Sequence, residues 1–171
     1  MPAITDPNTN ITLWESGAIA QYLIETYDKN QRISYQSSPE KYHCIQWLHF
    51  QTSGQGPYFG QAVWFMRYHA EKLPSAIERY VREVERVVSV IDAHLKAQGS
   101  DYLVGNKCTY ADMVFVPWGQ HAPSLIKAGE NGASFDLEAR YPSYDAWMKR
   151  VCAKESVKKA LEEKARVSEG K

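Results

Sequence analysis

Apolar residues recur at spacings of three and four along most of this chain, whereas short β-branched runs appear only near its start. Ala3-Ile4-Thr5 and Ile11-Thr12-Leu13 flank the turn D-P-N-T-N, whose proline and two asparagines predict a hairpin. A helix is expected from Ser16, because Ile19, Tyr22, Leu23 and Tyr27 follow a helical period. Two strands and one helix cannot bury a core by themselves.

Residues 38–171 read as all-helical. Ser38-Pro39-Glu40 predicts a helix start with a cap, a proline at N1 and an early acid. That helix carries Tyr42, Ile45, Trp47, Leu48 and His49, and S-G-Q-G-P at 53–57 is expected to interrupt it. Residues 58–70 form a second, strongly aromatic segment. Pro74 should open a long helix to residue 98, with Ile77, Val81, Val84, Val88, Ile91 and Leu95 as its buried seam and Gly99 at its end. Thr109 and Asp112 have the spacing of an acidic capping box, with Cys108 and Met113 at the staple positions. The helix they open, over 111–122, is apolar for most of its circumference and should form the buried centre, with Pro117 bending or restarting it. Further helices are predicted from Pro142, bearing Tyr144, Trp147, Met148 and Val151, and over 155–166. The fold class is therefore α+β overall. It joins a small strand-and-helix part at 1–30 to an all-helical domain at 38–171.

Composition narrows the function. The chain has 171 residues, of which 44% are apolar, enough for a sizeable core. Twenty basic and twenty acidic residues cancel, which argues against nucleic acid or an anionic membrane as the main partner. No apolar run approaches the roughly 20 residues of a membrane span, and no signal peptide is read at the start. Cys44, Cys108 and Cys152 are scattered and odd in number. They read as reduced thiols of a cytoplasmic protein. No cysteine or histidine pair has zinc-site spacing. Gly54, Gly56 and Gly60 have the wrong spacing for a phosphate loop and no preceding strand, so they read as a helix break. Nothing marks a nucleophile elbow.

L-W-E-S-G-A-I-A-Q-Y-L, residues 13–23, remains as candidate chemistry. Glu15 and Ser16 stand where a strand gives way to a helix. In one reading Ser16 is an N-cap and Glu15 gains from the helix dipole. In the other, the same helix N-terminus holds an anion. The residues alone leave both open.

Three motifs together resemble the cytosolic glutathione transferases: P-A-I-T-D at the start, W-E-S-G-A-I-A-Q-Y-L, and V-G-N-K-C-T-Y-A-D-M-V-F-V-P-W at 104–118. S-G-Q-G-P-Y-F-G-Q-A-V-W-F with E-R-Y-V-R-E-V-E-R-V is similar to the fungal branch that includes the yeast nitrogen-regulation prion protein. The resemblance implies a thioredoxin-like N-terminal part, an all-helical C-terminal domain, bound glutathione and a homodimer.

It also assigns roles. Ser16 would hold the γ-glutamyl carboxylate, Glu15 the ligand's ammonium, and the backbone of Met1, before a cis bond to Pro2, the cysteinyl portion. Tyr58, Phe59, Ala62, Phe65, Met66, Trp118 and His121 would line a pocket for a small apolar electrophile. Read without the resemblance, that aromatic stripe is equally core or dimer interface.

The chemistry implied is conjugation, or glutathione-assisted double-bond isomerisation as in fungal secondary metabolism. The family's first strand–helix–strand unit would need roughly 30 or more residues ahead of Pro2. It carries the residue that activates the thiol, so that residue is not found in this sequence, which reads as truncated at its N-terminus. Lowering a thiol from about 8.5 to about 6.5 takes ~2.7 kcal/mol, within reach of one charged hydrogen bond. Without it, the alternative is a non-catalytic glutathione-binding, regulatory or dimerisation module.

Overall fold

The computed structural model describes residues 2–129 and 135–169, with 168 and 169 in backbone only. β1 (Ala3–Asp6) and β2 (Ile11–Trp14) pair antiparallel in the register Ala3↔Trp14 to Asp6↔Ile11. Their turn closes through Asn10 N–H to Asp6 O at 2.8 Å, with Asn10 at φ 59°. Asparagine tolerates that left-handed geometry better than most residues.

β2 runs almost directly into α1 (Ser16–Tyr27). The apolar stripe expected along α1 is largely absent. Ile19 is its buried residue, whereas Leu23 and Tyr27 are 41% and 49% exposed. Tyr22 and Tyr27 instead turn their hydroxyls to the hairpin, and both donate to the Asp6 carboxylate. A polar clamp thus fastens the two-stranded sheet to its helix. Beyond α1, Asp28 accepts from the Arg32 and Ile33 amides and the Ser34 hydroxyl, folding the connecting chain back on itself.

α2 (Glu40–Phe50) starts differently from the expectation: Ser38 is not the cap and Pro39 is not N1. Pro39 occupies the N-cap position after a cis peptide bond, and Ser37 Oγ bonds Glu40 Oε2 at 3.1 Å. S-G-Q-G-P does not break the helix either. α2 passes through a π-helical turn (Gln51–Gln55) into α3 (Gly56–Arg67) without a gap. The buried stripe runs unbroken through the π-turn: Cys44, Leu48, Gln51, Gln55, Phe59 and Ala62 all face inward. The two buried glutamines satisfy each other. Gln51 donates to Gln55, and Gln55 donates to the Phe115 carbonyl at 3.1 Å.

α4 (Pro74–Gln98) follows its predicted seam and ends at Gly99, whose φ of 61° needs no Cβ. Val81, Val84, Val88, Ile91 and Leu95 are buried, and Ile77 is half-buried. The central helix expected over 111–122 is instead three short ones: α5 (Tyr110–Met113), α6 (Val116–Gly119) and α7 (Ala122–Lys127). Pro117 and Pro123 sit in the first turns of α6 and α7. Each lacks an N–H to continue the preceding helix, so the chain restarts there. The predicted capping box is formed, with Thr109 N–H donating to Asp112 Oδ2 at 2.8 Å.

α8 (Leu137–Arg140), α9 (Pro142–Cys152) and α10 (Glu155–Glu169) complete the chain. Tyr144, Trp147, Met148 and Val151 of α9 are all buried against α4 and the central helices, as their spacing predicted. No described helix is long and apolar enough to cross a membrane.

Candidate functional site

The cap of α1 is Glu15, not Ser16. Glu15 stands at φ 74°, ψ 115°, and Ser16 is the first helical residue, with no side-chain bond capping the helix. The first helical bond runs from Ile19 N–H to Glu15 O at 2.9 Å. The amides of Ser16, Gly17 and Ala18 therefore precede the ladder and point along the axis without an acceptor in it. Glu15 and Ser16 are both exposed. An L-residue at positive φ costs on the order of 1–3 kcal/mol, and no packing of the Glu15 side chain repays it. What the strain achieves is a turn from β2 straight into α1 with an acid at the helix mouth.

The hairpin register brings a second wall to the same place. Ala3 pairs with Trp14, so Pro2, one step outward, lies across from Glu15. Met1, with its bond to Pro2, falls outside the described residues. On the far side, Gly17 rests against the π-turn. A Cβ built on it would come within 2.8 Å of Thr52 Cγ2 and 4.0 Å of Leu48 Cδ1. The mouth of α1 is thus held between the start of β1 and the bend in the long helix.

The residues predicted to line an apolar pocket lie at different depths. Phe59 and Ala62 are 0% exposed and belong to the core beneath, with Phe59 edge-on to Trp118 at 6.2 Å. Tyr58 lies under the Arg86 guanidinium at 5.7 Å, and Phe65 stacks on His69 at 5.0 Å and Tyr80 at 5.4 Å. Met66 and Trp118 are half-buried and pack on the core. The reason is helical geometry. At about 100° per residue, positions 58, 59, 62, 65 and 66 share one arc, and α3 spends that arc on α4 and the central helices. His121 is exposed, and its pKa is pulled down by partial burial and by the Lys164 and Arg67 charges.

Sequence reading missed a cleft of about 330 Å³ between the central helices and α10. Met113, Val116 and Pro117 line one side, and Val157, Ala160 and Leu161 the other. Its halves lie some 40 positions apart, and the 104–118 motif that contributes one of them shows nothing of the other.

The glutathione S-transferase C-terminal domain model matches residues 55–155. The chain belongs to the glutathione S-transferase family. This family member is 48% identical over 168 residues to a glutathione S-transferase-like protein of Aspergillus terreus, covering 94% of this chain and 73% of that one. A Ure2-type glutathione transferase of Phanerochaete chrysosporium, solved with oxidized glutathione, superposes with a TM-score of 0.88 at 37% identity, covering 99% of this chain and 73% of that one. Another Ure2-type enzyme of the same fungus, cocrystallised with 1-(S-glutathionyl)-2,4-dinitrobenzene, superposes at 0.88 with 36% identity, covering 98% and 76%. The fold of this glutathione transferase relative is accordingly the family's: β1, β2 and α1 belong to the thioredoxin-like N-terminal part, and the remaining helices to the all-helical C-terminal domain.

Proposed function

We propose that this chain binds glutathione at the mouth of α1. Residues 1–30 form the glutathione-holding part, and residues 38–171 the helical domain behind it. Ser16 and the leading amides of α1 hold the γ-glutamyl carboxylate, and the Glu15 carboxylate pairs with the neighbouring ammonium. Pro2, and Met1 before it, offer backbone to the cysteinyl portion. One observation carries the reading: an exposed acid at φ 74° opens directly onto helix amides that no side chain caps.

Bound there, glutathione supplies a thiol for transfer to a small apolar electrophile, or for reversible addition to an unsaturated carbonyl that isomerises a double bond. The two fungal structures with oxidized glutathione and with a glutathionyl dinitrobenzene support both the ligand and an aromatic co-substrate. Of the wall predicted for that co-substrate, Tyr58, Phe65, Met66, Trp118 and His121 keep some solvent access.

Calorimetric titration with glutathione tests the site. Glu15→Ala with Ser16→Ala should weaken binding by roughly tenfold to a hundredfold, the worth of one or two charged hydrogen bonds. Unchanged affinity refutes the assignment. Turnover of a halogenated dinitrobenzene then separates an enzyme from a binding module: binding with no turnover favours a regulatory role.

A further inference from the structure

We infer that Thr52 is a positioning residue for the ligand site, through a methyl contact that sets the first turn of α1. The inference rests on the reading of Glu15 and Ser16 as the glutathione mouth.

Gly17 directly follows Ser16, and a Cβ there would stand 2.8 Å from Thr52 Cγ2, closer than carbon atoms approach. The methyl cannot swing aside freely. Thr52 Oγ1 donates to the His49 carbonyl at 3.1 Å, which holds χ1. Nor can the backbone turn freely, because Thr52 lies in the π-turn, between Gln51, which faces the core, and the Gln51 O to Gly56 N–H bond that closes the turn. With the Gln51–Gln55–Phe115 chain of bonds anchoring that turn inside, the neighbouring face presents Thr52 to α1 in one orientation. The helical domain thereby dictates where the Ser16, Gly17 and Ala18 amides aim, although Thr52 itself need not touch the ligand. π-turns recur at functional sites for this kind of placement.

Matched substitutions on the full chain test the contact, read by calorimetric glutathione affinity beside a thermal melt. Gly17→Ala should weaken glutathione binding at least tenfold. Adding Thr52→Ser, which removes the methyl and keeps the hydroxyl, should restore affinity to within about threefold of the parent. Thr52→Ile, which replaces the hydroxyl bonded to the His49 carbonyl with a bulkier ethyl arm and so frees and crowds the side chain, should repeat the loss and serves if Gly17→Ala does not fold. Parent-like affinity in Gly17→Ala or Thr52→Ile overturns the inference, as does a Gly17→Ala loss that Thr52→Ser leaves unrepaired. A purely structural contact would move the melt and leave affinity alone, which also overturns it. Glu15→Ala with Ser16→Ala in the same series separates the two claims. If that pair abolishes binding while Gly17→Ala does not, only the Thr52 role falls; if the parent chain binds no glutathione, both fall.

Discussion

Trp147 of α9 donates its indole N–H to Asp112 Oδ1 of α5 at 2.9 Å, joining the last buried helix to the capping box. The same carboxylate accepts from the Leu103 amide at 2.8 Å, the Thr109 amide at 2.8 Å and the Thr109 hydroxyl at 3.0 Å. Burial pushes the Asp112 carboxyl up, and these donors hold it back. Trp147→Phe removes one donor and should cost about 1–3 kcal/mol in urea unfolding. Asp112→Ala orphans every donor at once and should cost clearly more. If the two variants unfold at the same urea concentration, the Leu103 and Thr109 bonds add nothing beyond the Trp147 bond, and the prediction fails.

The Asp6 clamp should show in acid. Hydrogen bonds from Tyr22 and Tyr27, helped by Asn8, hold its carboxyl below the ordinary 3.8. A depressed folded-state value means the clamp's contribution is complete above 3.8 and disappears as pH falls through the folded value. Asp6→Asn should be less stable than the parent near neutrality, and the gap should narrow below about pH 4. A gap that is constant from pH 7 to pH 2.5 in thermal melts contradicts this.

The buried glutamine pair makes a cycle. Gln55→Leu leaves the Gln51 amide inside without an acceptor, an expected loss of about 1–3 kcal/mol. Gln51→Leu with Gln55→Leu removes both partners, and Phe115 O still accepts from Gly119 N–H at 2.8 Å. The double variant should therefore be no less stable than the single one. Additive losses in chemical denaturation would mean that the bonds act separately.

Elements held by local chemistry were legible in advance. Gly99, Thr109 with Asp112, and the seams of α4 and α9 stand where spacing put them, because caps and helical faces are defined within a turn or two. The candidate site was half legible. Glu15 and Ser16 could be picked out beside a helix start, but which of them occupies the cap depends on a backbone dihedral that no residue type announces. Phe59 and Ala62 were misplaced for a different reason: an apolar arc looks the same whether a ligand or another helix covers it.

By itself, then, the order of residues determined the hairpin, the helical periodicity and the pairing of an acid with a hydroxyl at the first helix. Only the assembled chain decided that glycines at 54 and 56 continue a helix through a π-turn, and that α1 leans on Thr52. Those outcomes turn on contacts between residues far apart in sequence. Burial of Gln51 and Gln55 against Phe115 outweighs the weak helix preference of glycine, and no local pattern encodes that balance.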